Sequence, residues 1–180
     1  MTTIRVDDEL LLRPPRMSDA EELFALVNSG RAYLRRWLPW VDTIRSARDY
    51  RPWIEGRVGG NEYRLLIVYK GAVVGATGIG DLDSPHKVGE IGYWLTEDMQ
   101  GRGIVTRACR TLLDCAFGSW GLNRVQIRVA TGNRKSLAIP KRLGFQFEGV
   151  QRQAELVNGE YYDLALHSML ASEWRETRAL

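Results

Sequence analysis

Apolar side chains recur along the chain with two different periods, and the switches between them mark out the elements. Spacings of three and four put side chains on one face of a helix, whereas alternation puts them on one face of a strand. The clearest helical stretch is Ile104 to Phe117. There Val105, Ala108, Cys109, Leu112, Leu113 and Ala116 fall at i, i+3, i+4, i+7, i+8 and i+11, while Arg107, Arg110, Thr111 and Asp114 form an opposite, solvent-like side. A second helix follows Met17, with Ala20, Leu23, Phe24 and Val27 at helical spacing. Ser18 and Glu21 have the spacing of a capping box at its start, and Gly30 stops it. Further helices are predicted over Ala47 to Arg57 and over Asn133 to Leu143, the latter ended by Gly144.

Between these lie the strand patterns. Arg124 to Val129 alternates strictly, with Val125, Ile127 and Val129 on one face. Glu9 to Arg13, ahead of Pro14-Pro15, reads as a short first strand. Tyr63 to Tyr69 and Ala72 to Gly80 form a hairpin joined at Lys70-Gly71, and Val88 to Leu95 is a strand after a loop around Ser84-Pro85. Phe145 to Val157 and Glu160 to Leu170 flank Asn158-Gly159, two residues that tolerate positive φ and so favour a tight hairpin turn. The segment Ala32 to Val58 is less regular and carries Trp37, Leu38, Pro39, Trp40 and Trp53 among arginines. Its aromatics either line a substrate entrance or cap one end of the core. The whole predicts a mixed sheet with helices folded against it.

Composition narrows the class. A chain of 180 residues, 44% hydrophobic and 26% charged, suits one α/β (α+β) domain over 1–180. The apolar runs Leu65 to Tyr69 and Ala72 to Ala76 are far short of the roughly 20 residues that span a bilayer, and the first residues have no apolar leader core. The expectation is a cytoplasmic protein with no membrane partner. A net charge of +3 and a pI near 9.0 are compatible with an anionic ligand. With 25 basic against 22 acidic residues, however, there is no long cationic run for nucleic acid. Cys109 and Cys115 have no CxxC spacing or nearby histidine, so neither a disulfide framework nor a metal site is expected and both read as core thiols. His86 and His167 lie far apart without a Ser/Asp context, which argues against a nucleophilic triad.

The chemistry concentrates in Gln100-Gly101-Arg102-Gly103-Ile104-Val105-Thr106, between a strand and the strongest helix. Glycines let a ligand approach the backbone, and the first amides of a helix lack intrahelical acceptors and carry the positive end of its dipole. This combination predicts a pyrophosphate cradle. A dinucleotide fingerprint would need a third glycine, and a P-loop would need Gly-Lys-Ser/Thr; neither occurs.

Gln100-x-x-Gly103-x-Val105 resembles the acyl-CoA loop of GNAT enzymes, Gln/Arg-x-x-Gly-x-Gly/Ala, with Val105 standing where Gly or Ala is usual. The spacing to Asn133-x-x-Ser136 and to Leu143-Gly144-Phe145 is similar to that superfamily as well. The chain further resembles the Rim group of ribosomal-protein N-terminal acetyltransferases in Ile91-Gly92-Tyr93-Trp94-Leu95, Gln100-Gly101-x-Gly103-Ile104, Asn133-x-x-Ser136, and Gln153-Ala154-Glu155 before Asn158-Gly159. The resemblance runs from Leu10 to Leu170. It implies a GNAT fold, a mixed and mostly antiparallel twisted sheet of about seven strands with helices on both faces. It also implies acetyl-CoA (coenzyme A) as co-substrate and transfer to a primary amine, best taken as the N-terminal α-amine of a ribosomal or similar protein. The alternatives are a small amine such as a polyamine or an antibiotic, or a non-catalytic acyl-CoA-binding module. A homodimer is implied by the resemblance alone.

The resemblance also implies roles. The pantetheine arm would lie between the strand holding Tyr93 to Leu95 and the strand ending near Ala130, with Trp94, Leu95, Gln100, Gly101, Arg102, Gly103, Ile104, Val105, Thr106 and Asn133 binding the cofactor. Asn133 is expected to hold the pantetheine amides rather than cap a helix. An α-amine with a pKa of about 8 needs only a modest base. Glu155, matching a glutamate of the Rim group, is the first candidate and Glu90 the second, the alternative for each being a structural carboxylate. Many GNAT enzymes supply a tyrosine to the leaving thiolate at the position of Pro140. Ser136 is the substitute implied here, unless it serves only as an N-cap. Pro140 also withdraws the helical donor from the Ser136 carbonyl, which must then find a ligand, water or other partner. Transfer is expected to be direct, with no covalent enzyme intermediate.

Overall fold

The computed structural model describes residues 2–56, 62–83 and 85–179. Arg57 and Val58, at the end of the aromatic segment, and Ser84, in the predicted loop, lie outside them. Among the described residues, eight strands form one sheet in the order β1-β2-β3-β4-β5-β6-β8-β7. They are β1 (Ile4–Arg5), β2 (Leu10–Arg13), β3 (Tyr63–Tyr69), β4 (Ala72–Asp83), β5 (Val88–Leu95), β6 (Arg124–Ala130), β7 (Gln146–Val157) and β8 (Glu160–Leu170). Every neighbouring pair is antiparallel except β5 and β6. The short strand β1 had no periodic signal because two residues cannot display one. The helices are α1 (Ala20–Ser29), α2 (Arg31–Leu34), α3 (Arg51–Ile54), α4 (Ile104–Phe117), α5 (Arg134–Leu143) and α6 (Ala171–Ala179).

Two cores flank the sheet. On one face Leu65, Ile67, Ile79, Ile91, Val125 and Ile127 pack against Ala108, Leu112 and Leu113 of α4, with Ile139 and Leu143 of α5. On the other, Leu66, Val68, Val73 and Ala76 pack against Leu23 and Val27 of α1 and Leu34 of α2. Successive residues of β3 therefore enter opposite cores. Leu65 to Val68 is an unbroken apolar run because both faces of this strand are covered. Cys109 is buried within the first core and Cys115 is half-buried. Among the described residues no helix is long and apolar enough to cross a membrane.

Three expectations about helix starts are corrected. The predicted capping box of Ser18 and Glu21 is replaced by Asp19, which accepts the Arg16 amide at 2.6 Å and both terminal nitrogens of Arg13 at 2.7 and 2.9 Å. A carboxylate gripped by a guanidinium in a fork is stronger than the neutral bond a serine could make. The predicted helix over Ala47 to Arg57 splits into a 3-10 turn at Ala47–Tyr50 followed by the single turn of α3. Pro52 has no amide to continue an earlier helix and is tolerated only near a helix start. Finally, Asn133 does cap α5: its side-chain oxygen accepts the Ser136 amide at 3.2 Å.

Candidate active site

The site begins with a split in the sheet. β5 and β6 pair in parallel only at Val88–Arg124, Gly89–Val125 and Glu90–Gln126. Beyond Glu90, β5 stays with β4 as far as Leu95, while β6 stays with β8 as far as Ala130. The strands are held by different neighbours and diverge, leaving the inner edge of β5 from Ile91 onward without a strand partner among the described residues. A cleft of about 1030 Å³ opens at this point. Its walls include Trp94 and Leu95 of β5, the Gln100–Gly103 loop, the first turn of α4, and Asn133 and Ser136.

Gly101 and Gly103 have φ of 74° and 70°, the left-handed region that L side chains avoid. A Cβ at either would meet no heavy atom within 4 Å. Their glycines thus serve the turn and an open approach to the backbone, not internal packing. The first helical bond of α4 runs from the Arg107 amide to the Gly103 carbonyl at 3.0 Å, so the amides of Ile104, Val105 and Thr106 have no intrahelical acceptor. Val105 turns its side chain into the core, which explains how the loop accommodates a residue larger than Gly or Ala there.

The cleft is basic beyond what the sequence suggested. Arg107, Arg110, Arg134, Lys135 and Arg142 all line it. The side of α4 read as solvent-like instead carries two of these cations to the cleft, and Arg107 is anchored there by Asp7 at 2.6 Å. The available signal was that Arg107 and Arg110 lie one turn beyond the glycine loop at i,i+3 spacing. Lys135 donates to the Gln100 side-chain oxygen at 2.8 Å, tying the loop to α5. Arg102 is not among the lining residues and reaches back to the Asp98 carbonyl at 3.4 Å.

Ser136 lies in the first turn of α5, and the cap is Asn133, so the N-cap alternative for Ser136 does not hold. Its hydroxyl donates to the Tyr93 oxygen at 3.0 Å, and the Tyr93 hydroxyl donates to the Ser136 carbonyl at 3.2 Å. The carbonyl orphaned by Pro140 is therefore satisfied by a tyrosine of β5 rather than by ligand or water. Burial holds the Tyr93 phenol above its ordinary pKa, with Cys109 adding to the rise and the Ser136 bond opposing it.

A second cavity, of about 560 Å³, shares Leu38, Tyr93 and Trp94 with the first. Trp40, Tyr50 and Trp53 line it, with Trp40 meeting Trp94 at 6.0 Å between ring centroids and Tyr50 meeting Trp53 at 6.2 Å. Trp37 lines the first cleft and packs on Tyr162. The aromatics thus meet both alternatives: they line the cavities, and Tyr50 is buried in the second core with Trp40 and Trp53 packed against it, beside Val41 and Ile44.

The two candidate bases are brought together around Arg128. Glu90 lines the second cavity and accepts from Arg128 at 2.7 Å and from Gln126 at 3.1 Å. Glu155 is half-buried and lines neither cavity. Burial raises its pKa, Arg128 opposes the rise and the Glu90 charge adds to it. Glu155 owes its location to a bulge: β7 pairs Gln151 with Leu164 and then Glu155 with Tyr162, with Gln153 at φ 50° between them. The Gln153 amide donates to Asp163 at 2.8 Å, pinning the bulge. Such bulges re-aim side chains near sites.

The family model described as "Acetyltransferase (GNAT) domain" matches residues 9–146. The chain is 36% identical over 179 residues to "Putative ribosomal N-acetyltransferase YdaF" of Bacillus subtilis (strain 168), covering 97% of this chain and 98% of that protein. It is 29% identical over 172 residues to the ribosomal-protein-serine acetyltransferase of Escherichia coli (strain K12), covering 93% and 96%. Among solved structures, RimL, a ribosomal L7/L12 alpha-N-protein acetyltransferase in complex with coenzyme A, superposes with a TM-score of 0.89 at 27% identity, over 95% of this chain and 99% of that one. The split sheet, the glycine loop at the head of α4 and this likeness along nearly the whole length agree: the chain belongs to the GNAT family and is an N-acetyltransferase.

Proposed function

We propose that the chain transfers an acetyl group from acetyl-CoA, held in the larger cleft, to the N-terminal α-amine of a ribosomal or similar protein entering through the smaller one. The observation that carries this reading is that the two cavities meet at Tyr93 and Trp94, on the unpaired stretch of β5. A donor and an acceptor entering from opposite sides would meet there. The glycine loop with the free amides of α4 suits the pyrophosphate, and Arg107, Arg110 and Arg142 suit the remaining phosphate charge. The unpaired edge of β5 suits the amide-bearing pantetheine arm, which would add to it as a strand does.

The amine attacks the thioester carbonyl as its neutral form, and backbone amides around Leu95 stabilise the charge that develops on the oxygen. As the carbon–sulfur bond breaks, the Ser136 hydroxyl donates a hydrogen bond to the departing thiolate. The proton lost by the amine passes through water to Glu155, which lies outside both cavities, and reaches the thiolate through solvent. Glu155 is preferred over Glu90 because Glu90 is already held by two donors, whereas the surroundings of Glu155 favour taking up a proton. Asp49 and Glu90 in an aromatic-walled cavity suit an acceptor that arrives as a cation. The names of the relatives favour a protein N-terminus as that acceptor.

A cytoplasmic location fits this reading, since donor and ribosomal acceptor would be met there. A homodimer fits it too, because β7 is the outermost strand and exposes Phe147, Val150 and Leu156, with Tyr161 on β8. The test is free-thiol release from acetyl-CoA with ribosomal-protein N-terminal peptides, polyamines and aminoglycosides as acceptors. Selective turnover with peptides beginning in a small residue such as serine is expected. Turnover with small amines alone would overturn the acceptor.

A further inference from the structure

Pro140 sits inside α5, one turn after Ser136, and cannot donate to the Ser136 carbonyl. The Tyr93 hydroxyl takes the place of the missing amide and is close to both oxygens of the same residue, 3.2 Å from the carbonyl and 3.0 Å from the hydroxyl. A serine within a helix commonly turns its hydroxyl back onto the carbonyl four residues earlier. Here the Ser136 hydroxyl is drawn off the helix and across to β5. A phenol has one proton, so it donates to the carbonyl while accepting from the serine.

We propose that Tyr93 is a positioning residue for Ser136, holding its hydroxyl in the larger cleft, beside the junction of the two cavities at Tyr93. When Ser136 swings its O–H toward the departing sulfur, the phenol O–H turns from the carbonyl to the Ser136 oxygen and keeps it fixed. Only hydrogen bonds are exchanged, and the phenol keeps its proton throughout. This inference rests on the reading that Ser136 hydrogen-bonds the leaving thiolate.

The test is a mutant cycle of Ser136→Ala, Tyr93→Phe and the double variant, assayed by thiol release from acetyl-CoA with a serine-initiated peptide. Tyr93→Phe is expected to lower kcat about five- to tenfold while KM for acetyl-CoA stays within about twofold, and the double variant to be no slower than Ser136→Ala. Equal losses from Tyr93→Phe in both backgrounds would show that Tyr93 acts independently of Ser136 and overturn the proposal while sparing Ser136. An unchanged kcat in Ser136→Ala would instead overturn the reading of Ser136 and this inference with it. Adding Pro140→Ala to Tyr93→Phe separates folding from positioning, because alanine returns an amide donor to the Ser136 carbonyl. The melting temperature is expected to recover without kcat; recovery of both would reduce Tyr93 to a partner of the carbonyl and sink the proposal.

Discussion

The hydroxyl of Tyr93 bonds both oxygens of Ser136, across 43 positions of sequence. This arrangement leaves Ser136 ordered before any ligand arrives, so its removal should affect the step in which sulfur departs more than donor binding. Ser136→Ala is expected to lower kcat about tenfold or more, the worth of one hydrogen bond of about 1.4 kcal/mol formed in the transition state, with little change in KM for acetyl-CoA. Steady-state kinetics decide this; equal losses in kcat and donor affinity would make Ser136 a binding residue.

Glu155 has its pKa raised above 4.5, first by burial and then by the Glu90 charge, against the pull of Arg128. As the base it works only when ionised, so kcat should fall as pH drops through this raised value. Glu155→Gln should be slow and lack that acidic limb. The same shift has a consequence for stability. A group with a raised folded pKa contributes stability below its unfolded pKa and loses that contribution as pH rises through the folded value. At pH 7 Glu155→Gln should therefore melt above the wild type. A variant that is slower, keeps on the acid side only the fall due to protonation of the amine itself, and is more heat-stable meets the expectation. A normal pH profile would remove Glu155 from the reaction.

Gly103 combines a left-handed backbone with an open approach to the cleft. Gly103→Ala should cost about 1–2 kcal/mol in backbone strain and also direct a methyl group toward the ligand. Calorimetry with coenzyme A should show affinity weakened at least about tenfold. Gly92→Ala is the control, since its backbone is not left-handed and its Cβ also meets nothing within 4 Å. Gly92 lines the second cavity, so this change should raise KM for the acceptor and spare coenzyme A. The same loss in both variants would refute the division of the two cavities between donor and acceptor.

Away from the site, Glu148 on β7 is gripped by Arg124 at 2.7 and 2.5 Å and by Ser168 at 2.7 Å, which lowers its pKa from 4.5 to about 2. Its contribution is complete above the unfolded value of 4.5 and disappears as pH falls toward about 2. Glu148→Gln should melt below the wild type at pH 7, and the gap should close between those two values. Thermal melts across that range check it; a gap independent of pH would mean that the carboxylate charge is not what stabilises.

Much of this molecule was legible in local sequence. Strict alternation marked β6, helical spacing marked α4, and Asn158-Gly159 marked the β7–β8 turn, because each pattern depends on the backbone period and on which face meets a core. The Gln100–Thr106 loop was legible for a similar reason, since a cradle built from backbone amides needs only glycines and the start of a helix. Tertiary structure decided the pairings of polar groups. Arg13 drew the helix cap to Asp19 and away from Ser18, and the polar side of α4 faced the cleft instead of open solvent. Asn133 became a cap, Arg128 gathered Glu90 and Glu155, and Tyr93 met the carbonyl that Pro140 had orphaned. The sequence could state that this carbonyl needed a donor. Periodicity sets which side of each element is buried, but only the packing of distant elements determines which polar atoms come within reach of one another.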